Sequence, residues 1–192
     1  MKILKKMKTK TKHGLTLIEA LLFLGIAAIV IVGAVVLYNN ASNSQRTNDA
    51  LAQIQSYSTG IKGLYSSVSN YGNSSLTPTL INGGIAPSNA VNGNALVNPW
   101  GHATELLGAG STFQIIFQDV PQDSCTRLLS SGLLSEGGVI NVWTTPGGSL
   151  PASAVSNPPV GVRGFSATNP PTPAQAAIAC QDPNNNVYLA VR

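Results

Sequence analysis

The chain has 192 residues, enough for one domain plus an extra element, and only 9% of them are charged, where a soluble domain carries roughly 25%. Six of the 11 basic residues (Lys2, Lys5, Lys6, Lys8, Lys10 and Lys12) precede Gly14, leaving five against all seven acids, so the formal +4 becomes −2 beyond that point. A nucleic-acid-binding role loses its support, because no basic patch is left after the front segment. What replaces charge is Ser, Thr, Asn, Gln and Gly, the neutral polar surface of a secreted or cell-surface protein, which repels its own copies weakly.

Leu15 to Tyr38 is a run of 24 residues with Glu19 as its only charge, and the next charge is Arg46. As a helix rising about 1.5 Å per residue the run would reach roughly 36 Å, enough to cross a hydrocarbon core of about 30 Å. The lysines ahead of it predict a cytoplasmic N-terminus and a far-side location for everything after Tyr38. A cleaved secretory signal is disfavoured: the apolar run is too long, and Asn39-Asn40-Ala41 puts asparagine where a small apolar residue belongs. Glu19 is the anomaly, since a carboxylate at mid-membrane costs roughly 2.5 to 3.5 kcal/mol on insertion scales.

Lysines, a glycine, an apolar residue, then glutamate five positions after the glycine and a long hydrophobic helix: Gly14-Leu15-Thr16-Leu17-Ile18-Glu19 in this setting resembles the processing site of type IV prepilins. The resemblance implies that a membrane-embedded prepilin peptidase cuts after Gly14 and methylates the new amino end at Leu15. It implies that Glu19 faces the N-terminal amine of a neighbouring subunit in a filament core, each charge offsetting the other's burial. It also implies identical subunits as partners, an inner-membrane assembly platform with its ATPase, and an extracellular pilus as destination. Leu15 in place of the usual phenylalanine, and a leader of 14 residues, point to the type IVb branch. A local role for Glu19 competes, because Thr16-Leu17-Ile18-Glu19 also fits an S/T-x-x-E capping box.

Past Tyr38 the pattern becomes amphipathic, with Leu51, Ile54, Ile61, Leu64, Tyr65 and Val68 at helical spacing. With no proline between Leu15 and Ser69, the helix is expected to run on to a stop at Tyr71-Gly72-Asn73. Gly25, Gly33, Gly60 and Gly63 interrupt it and would allow local melting or close contacts. Ser74 to Pro99, rich in Gly, Asn, Pro and Ser, reads as a surface loop. Ala103–Leu107 and Thr112–Phe117 read as a hairpin, and Val139–Trp143, Arg163–Ala167 and Val187–Val191 as further strands. Asp119, with Gln122 three positions on, is expected to open a short helix ending at Gly132. On it Asp119 and Asp123 share a face and act as capping carboxylates rather than as an acid–base pair. Thr172-Pro173 opens an alanine-rich helix into Cys180, and Asp182–Asn186 reads as a turn.

Cys125 and Cys180 lie in the exported part, where an even count favours a disulfide over two free thiols. The bridge would close a loop of about 56 residues, worth on the order of 4 kcal/mol by chain entropy. Spine helix, loop, antiparallel strands and a cysteine-bounded C-terminal region resemble the head of type IVb pilins. Phe113 to Cys125 and Asn98-Pro99-Trp100-Gly101 resemble the thin-pilus pilins of conjugative plasmids. The expected fold is therefore α+β, a long N-terminal helix packed on an antiparallel sheet, divided into a leader (1–14), a hydrophobic helix (15–40) and a head (41–192). Trp100 and Trp143 are expected inside the head, although exposed indoles would stack on sugars. His102 is the only histidine after Gly14, and no catalytic, metal or cofactor motif is present in the sequence. The function expected is that of a major pilin serving cell–cell contact, adhesion or conjugation. A type II secretion pseudopilin or minor pilin is the alternative within the superfamily, and an unprocessed bitopic binding protein the alternative outside it.

Overall fold

The computed structural model describes residues 16–68, 70–135, 138–155, 158, 162 and 164–192. The chain divides into two units between Ala41 and Ser42. Helix α1 is Leu17–Leu64, so the expected long helix is present and ends before a turn at Tyr65. Its described stretch in the first unit is apolar and exposed throughout: the large side chains from Leu17 to Tyr38 all face outward, with Leu17 83% exposed and Tyr38 73%.

In the second unit the remainder of α1 buries a stripe of Ala50, Ile54, Tyr57 and Ile61, spaced four, three and four apart as one face of a helix requires. Two expected members of that stripe are corrected here. Leu64 and Val68 are 47% and 54% exposed, because the helix has run past the edge of the sheet by that point. Gly60 sits where a Cβ would overlap the Ile85 side chain, so of the two roles expected for glycine it serves close approach.

The head sheet has seven strands in the order β1-β2-β3-β4-β7-β5-β6, with every neighbouring pair antiparallel. They are β1 (Val91–Asn92), β2 (Ala95–Val97), β3 (Ala103–Ala109), β4 (Thr112–Pro121), β5 (Val139–Pro146), β6 (Gly164–Ser166) and β7 (Asn184–Val191). The expected hairpin is β3–β4, closed at Ala109↔Thr112 by Gly110, with φ +67°, and Ser111. The last strand lies in the middle of the sheet, between β4 and β5. That position buries both its faces, which is why Val187-Tyr188-Leu189-Ala190-Val191 is a continuous apolar run rather than an alternating one. Val187, Leu189 and Val191 join the core under α1, while Tyr188 and Ala190 join a second cluster with Leu107, Ile116 and Trp143.

Three further expectations are overturned. Ser74–Pro99 is not a loop: it holds α2 (Thr77–Asn82), a 3-10 turn (Ser88–Ala90) and the β1–β2 hairpin. Its few apolar residues, Leu76, Leu80, Ala90 and Leu96, are at most 2% exposed, and this burial outweighs a turn-rich composition. Asp119 does not open a helix, because β4 continues to Pro121 and α3 (Gln122–Ser130) starts after it. Asp119 is instead the extra residue of a bulge between Phe117 and Val120, with φ +49°. Nor is Asp182–Asn186 wholly a turn, since β7 begins at Asn184.

Other elements fall where expected. Helix α4 (Pro173–Ala179) carries a capping box between Thr172 and Gln175. Of the expected strand Arg163–Ala167, Gly164–Ser166 is extended and Arg163 lies outside the described residues.

Candidate assembly site

Glu19 is exposed and lies in the first turn of α1. Thr16 N–H and Thr16 Oγ1 reach its Oε2 at 3.4 and 3.5 Å, and Glu19 N–H reaches Thr16 Oγ1 at 3.4 Å. The capping box expected from the sequence is therefore formed, but at lengths beyond the usual 2.7 to about 3.2 Å of a strong hydrogen bond. The carboxylate keeps most of its acceptor capacity for another donor. Among the described residues Glu19 is the only acid between Leu17 and Tyr38, on a helix long and apolar enough to cross a membrane. Gly14 and Leu15 lie outside the described residues.

The head is closed by a disulfide between Cys125 and Cys180, whose Cα atoms are 5.9 Å apart and whose side chains are fully buried. It joins α3 to the residue that ends α4. Beside it, the segment Asn98 to Gly101 meets the β4 bulge. Asn98 Oδ1 accepts from the N–H groups of Trp100 and His102, both at 3.0 Å, and Asn98 Nδ2 donates to the Gln118 carbonyl at 2.7 Å. Trp100 then donates from Nε1 to Ser124 Oγ at 3.2 Å and packs edge-on to Phe117. The Asn98 turn and the Phe113–Cys125 run, separate in sequence, form one buried corner around the disulfide. Both tryptophans are buried as expected, Trp143 completely and Trp100 at 9%.

Of the two aspartates expected as caps, only Asp123 lies in the first turn of α3, where its Oδ2 accepts from Asn43 Nδ2 at 2.9 Å. Asp119 faces His102 Nδ1 at 3.8 Å, and its backbone N–H donates to Asn186 Oδ1 at 3.0 Å. Sequence reasoning missed the asparagines. Asn98, Asn185 and Asn186 are at most 3% exposed, and nothing in their spacing separates structural amides from turn residues. Among the described residues no group of three or more His, Cys, Asp or Glu side chains gathers in a metal-holding arrangement.

A long apolar N-terminal helix, an antiparallel sheet with the last strand at its centre, and a disulfide joining α3 to the end of α4 define the fold of a type IVb pilin. Solved structures agree: a type IVb pilin from Salmonella typhi superposes with a TM-score of 0.54 at 21% identity, covering 73% of this chain and 95% of that one. TcpA, a type IV pilin from Vibrio cholerae El Tor biotype, gives 0.54 at 16%, covering 77% and 99%. The family described as PilS N terminal matches residues 41–191, and the chain belongs to it. Two relatives are each named the major structural subunit of bundle-forming pilus. The one from Escherichia coli O127:H6 (strain E2348/69 / EPEC) is 28% identical over 93% of this chain and 92% of its own length. The one from Escherichia coli O111:H- is 27% identical over the same shares.

Proposed function

We propose that this pilin is the major subunit of a type IVb pilus. It is held in the inner membrane as a precursor, with the N-terminus cytoplasmic and the head periplasmic, and then polymerised into an extracellular filament through its N-terminal helix. The observation that carries this reading is the first unit itself, a helix of exposed large apolar side chains interrupted by one carboxylate. Such a surface is stable only in lipid or against other apolar helices, and a filament core supplies the second once the chain leaves the first.

Processing follows from the same reading. Prepilin peptidase cuts after Gly14 and methylates Leu15, dividing the chain into leader (1–14), hydrophobic helix (15–40) and head (41–192). An inner-membrane platform and its ATPase then add subunits. Glu19 seats each newcomer in register by meeting the amine of a neighbour, and the long Thr16–Glu19 contacts favour this, since a weakly held carboxylate changes partner at little cost. The filament serves cell–cell contact, adhesion or conjugation, in line with its relatives' role as pilus subunits.

Mass spectrometry of the mature N-terminus is the test. The expected result is N-methyl-leucine at Leu15; an intact leader on protein from filaments would refute the processing step. Glu19→Ala should leave cleavage unchanged and lower filament yield, and normal piliation by that variant would remove the register role.

A further inference from the structure

In the head, three large apolar side chains are exposed among the described residues: Leu64 at 47%, Val68 at 54% and Ile178 at 62%. They do not lie together. Val68 lines a cleft of about 340 Å³ with Lys62, Tyr65, Tyr71, Ser111 and Arg192. Ile178 lines another of about 260 Å³ with Val162, Thr144, Ala179 and Asp182.

Strand β7 fixes where these clefts are. Asp182 precedes its first residue, Asn184, and the Thr144–Pro146 wall of the Ile178 cleft pairs with Val187, Asn186 and Asn185. Arg192 follows its last residue, Val191, with its N–H on Gly138 O, and a Cβ on Gly138 would overlap Lys62 Nζ. The clefts therefore sit at opposite ends of an eight-residue strand, roughly 25 Å apart at about 3.3 Å per residue.

Their charges are opposite too. No acid is among the lining residues of the Val68 cleft, which holds Lys62 and Arg192. No base lines the Ile178 cleft, nor the adjoining one that places Asp119 beside Asp182. In a chain with so few charges, one pole of β7 is apolar and basic and the other apolar and acidic.

We propose that these poles are the two halves of one interface between copies of this chain, the Val68–Arg192 end of one head meeting the Ile178–Asp182 end of the next. The contact is heterologous, different surfaces meeting, and a heterologous contact that does not close into a ring propagates a helical filament. Apolar contact supplies adhesion and the paired charges supply direction, since a reversed neighbour would set like charges together. The inference rests on the filament-subunit reading but assigns the head a second set of contacts, independent of the N-terminal helix.

The test uses the full chain expressed in piliating cells, with Val68→Cys and Ile178→Cys made singly and together. After mild oxidation, sheared filaments are run without reductant. The double variant should give a ladder of dimers, trimers and longer species, while each single variant stays monomeric. Filaments of the double variant without a ladder would overturn the interface and leave the filament reading intact; failure of the unaltered chain to enter filaments would overturn that reading instead. Dimers from a single variant would indicate a two-fold contact and also overturn the proposal. If the cysteines abolish filaments, charge exchange decides: Arg192→Glu and Asp182→Arg should each lower filament yield about tenfold, and the pair together should restore it. Additive loss in the pair would sink the interface.

Discussion

Gly60 of α1 lies so close to Ile85 that a Cβ added at Gly60 would overlap the Ile85 side chain, including its Cγ2 and approaching its Cβ. Two effects of Gly60→Ala oppose each other. Alanine gains about 1 kcal/mol of helix propensity in an exposed helix, whereas forcing a methyl into packed contact costs typically 1 to about 3 kcal/mol. Ile85 is packed against the core, and its own Cβ, fixed to the backbone, is among the crowded atoms, so the clash should win. We expect Gly60→Ala to lower the denaturation midpoint of the full chain in detergent, and Ile85→Ala to be less harmful in the Gly60→Ala background than alone. A higher midpoint for Gly60→Ala would refute the packing argument.

Reducing the disulfide should destabilise the head by a few kcal/mol. The bridge spans a sequence separation of 55, for which the chain-entropy argument gives on the order of 4 kcal/mol. Both sulfurs belong to fully buried residues, so reductant should act only as the head opens. The expected outcome is a large drop in the urea midpoint of Cys125→Ser/Cys180→Ser, and slow reduction of the unaltered chain in native buffer. Similar midpoints for the two proteins would contradict it.

Tyr57 predicts an alkaline limit to stability. Its side chain is fully buried, its hydroxyl has no hydrogen-bond partner, and burial pushes the phenol above its usual value of 10. The unfolded chain then loses this proton first as pH rises, so the contribution is complete below about pH 10 and is lost above it. Tyr57→Phe removes both the orphaned hydroxyl and this titration. It should be neutral or stabilising at pH 7, by up to about 1 to 3 kcal/mol of relieved desolvation, and should flatten the loss of stability above pH 10. The midpoint difference between the two proteins across pH 8 to about 11 is the measurement, with a widening gap expected. A constant gap would mean that Tyr57 does not titrate with unfolding.

Local signals account for the parts of the fold that were legible in sequence. The Thr172-Pro173 start of α4, the β3–β4 hairpin around Gly110 and the apolar run of β7 each carry their signal within a few residues. The elements missed are those whose stability is supplied from elsewhere in the chain. Asn184 to Asn186 have turn-forming residues, yet Asn185 Nδ2 donates to Asp182 O and Asn186 Nδ2 to Gly148 O, satisfying amides that would otherwise seek water. Leu76, Leu80 and Leu96 convert a Gly- and Asn-rich stretch into ordered structure by burial alone. For the assembly site, Glu19 and the cysteines stood out by isolation, while the poles of β7 did not, because Val68 and Ile178 become an exposed pair only once the sheet order is known. Ile178 did carry a local hint: on α4, Ala176 and Cys180 face inward one turn apart, which puts Ile178 on the opposite side.

Asn98 offers a sharper test of the corner beside the disulfide than any apolar truncation. Its Oδ1 holds two backbone N–H groups and its Nδ2 holds the Gln118 carbonyl at the bulge, from a side chain only 3% exposed. Asn98→Ala leaves these groups without that partner and should cost about 2 kcal/mol. Asn98→Asp separates the two halves of the role, since a carboxylate still accepts from Trp100 and His102 but cannot donate to Gln118. The ionised group would face a carbonyl oxygen, which raises its folded pKa above the unfolded value near 3.9. A raised carboxyl adds stability below that unfolded value and loses it as pH rises through the folded one. Compared with the unaltered chain at each pH, Asn98→Asp should therefore be strongly destabilised at pH 7 and recover toward pH 3, where the protonated carboxyl can donate. Asn98→Ala has nothing to titrate and should show a pH-independent deficit. Equal pH profiles for the two variants would mean that the bond to Gln118 contributes nothing, leaving the two accepted N–H bonds to account for the whole loss.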